Sequence, residues 1–252
     1  MAEYGDLYKS AMQRVRALKD KPIAHLFELP KGEQSKVKTE ILFIERCLAL
    51  LQPGGRLGIV LPEGVFNNPS LAYVREFCEN RAYIRAVVSL PQETFYSSGA
   101  TVKASLLFMQ KFTVAEQQMF DDTQAQARAE IDAKYAAEIE AETQRLQAVI
   151  DEAKKTKETA KRTAAQKELK DYLKRVEQTK KAETRALLKE RFVYPIFMYE
   201  AEHVGITATG EADSNELYPN DNLPTGVEKT CLDLYREFRE NPQAFMLDEV
   251  AA

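Results

Sequence analysis

The sequence predicts an α/β fold in which helices lie on a partial sheet and a long antiparallel helical hairpin interrupts it. Three observations carry this expectation. From Gln52 to Ser70 an apolar helical run ends at Gly54-Gly55, a short apolar strand follows, Pro62-Glu63-Gly64 turns the chain, and Asn67-Asn68-Pro69 opens another helix. This is one helix–strand–helix unit with its loop at the carboxyl end of the strand, where open α/β sheets bind their ligands. Only a short polar lead precedes the unit, so the first half of such a sheet is expected to lie outside this sequence. Between Phe112 and Tyr194 there is neither Gly nor Pro, and Ala, Glu, Gln, Lys and Arg dominate, as in long helices.

Taken in order, residues 6–19 read as a short amphipathic helix carrying Leu7, Met12, Val15 and Leu18. Residues 20–37 contain Pro22, Pro30 and Gly32 and are predicted loop. Lys38 to Leu51 is a strong helix whose Ile41, Leu42, Phe43, Ile44, Cys47, Leu48 and Leu51 leave Glu40, Glu45 and Arg46 for solvent. Apolar surface that wide suggests a helix pressed on a sheet. Leu57 to Leu61 is a continuous apolar run and is expected to be a strand buried on both faces. Asn68 suits an N-cap with Pro69 at the first helical position, and Leu71, Val74, Phe77 and Cys78 form that helix's buried stripe. Tyr83–Leu90 and Lys103–Gln110 are further strands. The stretch from Pro91 to Thr101 is too short for a crossover helix, so this pair should be antiparallel.

In the segment without Gly or Pro, about 80 residues would make one helix of roughly 120 Å or a hairpin of roughly 60 Å. From Glu116 to Glu152 acids outnumber bases ten to three, and from Lys154 to Arg191 bases outnumber acids fourteen to six. Oppositely charged arms favour the hairpin. Ile131, Tyr135, Ile139, Leu146, Val149 and Ile150 offer one seam; Leu169, Tyr172, Leu173, Val176, Leu187 and Leu188 offer the other, as in a coiled coil. The turn is expected within Lys154–Gln166. Beyond it, Tyr194–Glu200 is strand-like, residues 205–226 are loop, and Thr230–Arg239 is a final helix. The expected organisation is therefore 1–112 as α/β domain, 113–192 as inserted hairpin, and 193–252 as a return to the domain and a tail.

Composition narrows the chemistry. The 252 residues carry 44% hydrophobic side chains, enough for a core, and a net charge of -4 that settles nothing about partners until its distribution is read. The three cysteines, Cys47, Cys78 and Cys231, are odd in number and unclustered, which suits buried thiols in a reducing, cytoplasmic setting and offers no metal spacing. His25 and His203 are far apart in sequence, against a His-based metal site or triad. No signal peptide and no run of membrane-spanning length is present, so no membrane partner is expected.

The candidate site residues cluster at predicted strand ends. Glu63, Asn67 and Asn68 either line a cleft or serve as turn and cap residues. Phe95 and Tyr96, in the loop between the paired strands, either stack on a ligand or plug the end of the hairpin. Lys103 either contacts phosphate or is a solvated charge at a strand start. The basic arm Lys154–Arg191 could grip a nucleic-acid backbone, though the acidic arm beside it makes mutual pairing the simpler reading.

Several ordered blocks carry a family likeness. "LFIERCLALLQPGGRLGIVLPEGVFNNPSLAYVRE", "VVSLPQETFYSSGATVKASLLFMQK", "YPIFMYEAEHVGITATG" and "LDLYREFRENP" resemble the second half of the catalytic domain of N6-adenine DNA methyltransferases, in particular the modification subunit of type I restriction systems. The resemblance covers about half the chain and leaves out the hairpin. It implies a partial Rossmann-like methyltransferase sheet, S-adenosylmethionine as cofactor of the complete enzyme, and DNA as substrate with the target adenine flipped out of the duplex. The loop holding Phe95 and Tyr96 would face the DNA. Implied partners are the missing N-terminal half and the specificity and restriction subunits of a type I system.

The family's catalytic motif, Asn/Asp-Pro-Pro-Phe/Tyr, and its Gly-rich cofactor turn have no counterpart here. There is no Pro-Pro, the Asn-Pro pairs Asn68-Pro69 and Asn241-Pro242 are in the wrong contexts, and no Gly-x-Gly follows an early strand. The expectation is a chain with no catalytic, cofactor-binding or metal residues of its own, inactive alone, as a truncated product, one half of a split enzyme or a C-terminal piece. A chain of another class, a non-catalytic assembly module using its hairpin as the partner contact, is the alternative.

Overall fold

A computed structural model describes residues 5–29 and 36–246. Two compact units are present: residues 1–113 with 195–252, and residues 114–194. Pro30 and Gly32 of the predicted early loop lie outside the described residues.

The first unit opens with α1 (Gly5–Ala17) and a 3-10 turn at Ile23–Leu26. Helix α2 (Thr39–Leu50) buries Ile41, Ile44 and Leu48. Its Glu45, expected in solvent, instead clamps the preceding segment: the carboxylate accepts the backbone N–H groups of Glu28 and Leu29 at 2.7–3.0 Å. Lys111 closes the other end, donating to the Leu48 and Leu51 carbonyls at 2.8 and 2.7 Å. A cation there meets the carbonyls that a helix C-terminus leaves unpaired. Gly54 then takes a left-handed φ of 76°, and a Cβ on Gly55 would come within 2.8 Å of the Gln52 carbonyl, so Gly is required at this turn.

Strand β1 (Arg56–Pro62) leads to the short helix α3 (Gly64–Asn67), a 3-10 turn at Pro69–Leu71, and α4 (Ala72–Glu79). Val74 and Cys78 are buried on α4. Strands β2 (Ala82–Ser89) and β3 (Ala104–Lys111) pair antiparallel, as the short connection requires, with a bulge between Ile84 and Ala86. The sheet order is β1-β3-β2-β4, with β4 (Phe197–Glu200) parallel to β2. Thus β3 runs against both neighbours and separates β1 from β2.

One sheet face packs on α2 and α4 around Ile44, Leu48, Leu61, Val74, Leu107 and Met109. The other is covered over β2 and β4 by α7 (Cys231–Glu240), around Val88, Phe197 and Phe238. Thr230 starts α7 with a reciprocal capping box to Asp233. The predicted loop at 205–226 is partly a β-hairpin, β5 (Val204–Ile206) with β6 (Ala212–Asn215). Its polar, Gly-rich composition hid three- and four-residue strands too short for periodicity to show.

Strand β1 corrects the expectation of burial on both faces. Among the described residues it pairs only with β3, and its burial alternates, with Gly58 and Val60 exposed. On β3, Phe108 faces Gly58 across the pair, with its ring 3.1 Å from where a Gly58 Cβ would sit. The aromatic ring therefore lies over the glycine, with Val60, 51% exposed, on the same face. On α2, Phe43 and Leu50, 56% and 77% exposed, lie on the side turned away from its buried stripe. Val60, which reads as core in the sequence, is thus bare beside an open sheet edge.

The second unit is an antiparallel hairpin of α5 (Val114–Lys155) and α6 (Thr159–Arg191). At 1.5 Å per residue α5 is about 63 Å long. The turn falls at the start of the predicted region, with Lys157 in a left-handed conformation, φ 59°. Ala127, Ile131, Leu146 and Ile150 of α5 are buried, as are Ala165, Val176 and Leu188 of α6. At the open end Phe120 meets Phe192 edge to face, with centroids 5.1 Å apart. No helix among the described residues is long and apolar enough to cross a membrane.

Candidate functional site

The candidate residues meet where β1, β2 and β4 end and β3 begins. Glu63 follows β1, and its N–H donates to the Lys103 carbonyl at 2.9 Å. Its carboxylate accepts a 2.7 Å hydrogen bond from the Ser105 hydroxyl. Ser105 is 2% exposed, a polar residue inside an apolar strand, paired across the sheet with Ser89. Ser89 in turn pairs with Glu200 at the end of β4. Lys103 Nζ lies 3.3 Å from the Glu200 carboxylate. The end of the sheet therefore carries a connected polar row, Glu63–Ser105 and Lys103–Glu200, above an apolar core.

Other candidates separate by role. Asn68 is a cap: its Oδ1 accepts from the Ser70 N–H at 2.9 Å and the Ser70 hydroxyl at 2.8 Å, and its carbonyl accepts from Arg75. Asn67, exposed at the end of α3, donates its N–H to the Glu63 carbonyl. Phe95 packs against the apolar cluster under α7, whereas Tyr96 is 42% exposed at the start of a 3-10 turn, Tyr96–Ser98, that Gly99 ends with φ 81°. The two adjacent aromatics thus point to different tasks. The β5–β6 turn supports this loop, since a Cβ on Gly210 would stand 2.9 Å from the Ser97 Cβ.

Sequence reasoning missed Ser105 and Glu200. A lone serine in "KASLLFMQK" was the available signal for the first, whereas nothing in the sequence pairs Glu200 with Lys103, 97 residues away. Glu216 was also missed. It is buried and accepts the N–H groups of Glu202 and His203, the latter at 3.1 Å, which pins β4's exit to β6. Burial, with Glu216 beside it, pushes Tyr199 up to about 12 and the Cys231 thiol up to about 11. Burial pushes Cys78 up to about 12. These groups stay protonated near neutrality and are neither bases nor nucleophiles there.

The polar row can accept and donate hydrogen bonds to a base or an amine presented at the sheet end, and Tyr96 offers a ring to stack on. It does not by itself form a cradle for S-adenosylmethionine. The glycine after β1, Gly64, stands alone in its loop, where a Gly-rich turn would let the cofactor approach the backbone closely. The Gly-rich turn that would take that approach is absent from the sequence.

Comparison with known proteins gives the family. The N-6 DNA methylase family model matches residues 18–186, about two thirds of the chain. The EcoKI type I restriction enzyme methylase subunit of Escherichia coli K12 is 31% identical over 77 residues, 30% of this chain and 14% of that protein. The StySJI methylase subunit of Salmonella typhimurium LT2 is 30% identical over 76 residues, again 30% of this chain and 14% of that protein. The chain thus aligns with only a seventh of the length of these relatives. Among solved structures, a Listeria monocytogenes protein assigned to the class I S-adenosylmethionine-dependent methyltransferases is 32% identical, with 36% of this chain and 27% of that one covered and a TM-score of 0.32. A chain of a type I restriction-modification complex is 31% identical, with 37% and 19% covered and a TM-score of 0.31. With the match spanning helix, sheet and hairpin alike, the chain belongs to the N-6 DNA methylase family.

Proposed function

We propose that this chain supplies the second half of the catalytic domain of an adenine-specific N6 DNA methyltransferase of the type I modification kind. The observation that carries the reading is the open flank at β1. Its outer edge is unpaired among the described residues, and Val60 and Phe108 are bare on one face beside it. An unpaired strand edge is a template for another strand. Apolar side chains on that face add a place for a flanking helix, each fully buried side chain contributing about 1.5–3 kcal/mol. A strand and helices bearing the Gly-rich turn and the Asn-Pro-Pro-Phe motif fit this flank, and the polar row of Glu63, Ser105 and Lys103 then faces the completed cleft. Residues 113–192 act as an inserted hairpin, distinct from that cleft in sequence. Specificity and restriction subunits complete the assembly, and DNA is the substrate.

The chain alone is expected to bind S-adenosylmethionine weakly and to methylate nothing. Calorimetric titration tests this, with a micromolar affinity for the isolated chain as the refuting result. Co-expression with a polypeptide carrying the two absent motifs should yield a complex that binds the cofactor and methylates adenine. Val60→Asp should prevent that complex from forming, and its formation unhindered would remove the flank from the argument. The hairpin's being a compact unit of its own favours a second reading, in which it serves as an assembly contact.

A further inference from the structure

The two arms of the hairpin do not neutralise each other. Their cross-arm ion pairs run in both directions: Lys180 with Asp132 and Arg191 with Glu130 one way, Lys134 with Glu183 and Arg145 with Glu168 the other. The first direction engages two bases of α6 and the second two of its acids. The basic surplus of α6, with eleven Lys and Arg against five Asp and Glu over Thr159–Arg191, is left intact by this pairing.

That surplus is ordered. Taking Val176 as the buried side, and turning 100° per residue, Lys167 and Lys174 fall opposite it, with Lys170 on one flank and Lys189, next to buried Leu188, on the other. All four are exposed, and among the described residues none enters an ion pair. Lys181 and Arg185, which carry interactions of their own, continue the line. From Lys167 to Lys189 the line runs for about 33 Å along the helix. The carboxylate that interrupts it is Asp171, and Glu177 lies at its margin. The acidic outer side of α5 lies a helix diameter or more beyond, roughly 10–20 Å away, at or past the Debye length of about 8 Å in physiological salt.

We propose that this outer ridge of α6 is a docking surface for the phosphate backbone of duplex DNA. Charge complementarity carries it: four exposed lysines without ion-pair partners, spread along one helix, match a polyanion with about one charge per 1.7 Å of duplex axis, and phosphate contacts position a protein without reading sequence. The choice of DNA over an acidic protein surface rests on the proposed function; the ridge itself rests on charge and geometry alone. The contact would hold substrate near the enzyme independently of the cofactor cleft.

The test is fluorescence anisotropy of the full chain with a labelled duplex of about 30 base pairs across a salt series, without cofactor and without the absent first half. The chain should bind at low salt, with log affinity falling linearly against log salt. The quadruple variant Lys167→Gln, Lys170→Gln, Lys174→Gln and Lys189→Gln should flatten that slope by about 3–4 and weaken binding at least tenfold. Circular dichroism should show the hairpin's helix content kept. A control with three lysines removed elsewhere, Lys9→Gln, Lys19→Gln and Lys21→Gln, should bind as the unsubstituted chain does. No duplex binding, or equal binding by the quadruple variant, overturns the proposal. So does tighter capture of polyglutamate than of DNA at matched salt, which would assign the ridge to an acidic protein. None of these results depends on reconstituting the enzyme, so the ridge and the proposed function can fail separately.

Discussion

Leu146 and Arg145 are neighbours on α5 that test what holds the hairpin together. Leu146 is 1% exposed in the seam, while Arg145 bridges to Glu142 within its own helix and to Glu168 on α6. Removing a buried leucine to alanine costs about 2.7–5 kcal/mol in a thick core, through lost transfer energy and the cavity left behind. A two-helix layer can close in on the gap, so about 2–3 kcal/mol is expected for Leu146→Ala. Arg145→Gln removes two ion pairs between solvated groups, whose net contribution is small because water replaces each partner and salt screens the pairs. The chain has two compact units and no single unfolding transition need describe it, so amide hydrogen exchange is the suitable assay. At about 1.4 kcal/mol per factor of ten, Leu146→Ala should speed exchange at the centre of α5 and α6 by roughly 30- to 150-fold. Arg145→Gln should leave it within a small factor of the parent, and added salt should change little. Equal acceleration by both substitutions would refute the view that the apolar seam, and not charge, binds the arms.

Alkaline pH should weaken the α/β unit through Cys78. In the unfolded chain a thiol ionises near pH 8.5, but burial holds Cys78 protonated up to about 12. Above about pH 8.5 the folded state keeps a proton that the unfolded state has lost, so stability is full below that pH and falls above it, by up to about 1.4 kcal/mol per pH unit. Urea unfolding from pH 8 to 10.5 should show this limb, and Cys78→Ala should flatten it; parallel limbs would defeat the argument. At the sheet end, Phe95→Ala should destabilise the fold while Tyr96→Ala should not, because the first ring is packed and the second is exposed. In the enzyme completed by its first half, Tyr96→Ala should lower kcat/KM for adenine methylation about tenfold, stacking on a base being worth about 1–3 kcal/mol. Unchanged turnover would remove Tyr96 from the DNA side.

Local pattern was enough for much of this molecule. The Gly54-Gly55 turn, the stripe of Leu71, Val74 and Cys78, the antiparallel β2–β3 pair and the long charged arms all follow from spacing, because a helix period, a strand length and a connection length are read within a few neighbouring residues. Asn68 as a cap before Pro69 belongs to the same class. Tertiary structure decided what faces what. Leu57–Leu61 is apolar enough for an interior strand, but burial depends on what stands beside it, and β1 is an edge among the described residues. Val60 is bare for the same reason. Ser105 under Glu63 and Glu200 beside Lys103 join residues 42 and 97 positions apart, a pairing set by strand order and register that no local pattern encodes. The arms' net charges were plain in the sequence. Which charges pair was settled only by the helical register that the apolar seam imposes, and that register turns four lysines of α6 outward, away from the acids that composition had matched them with.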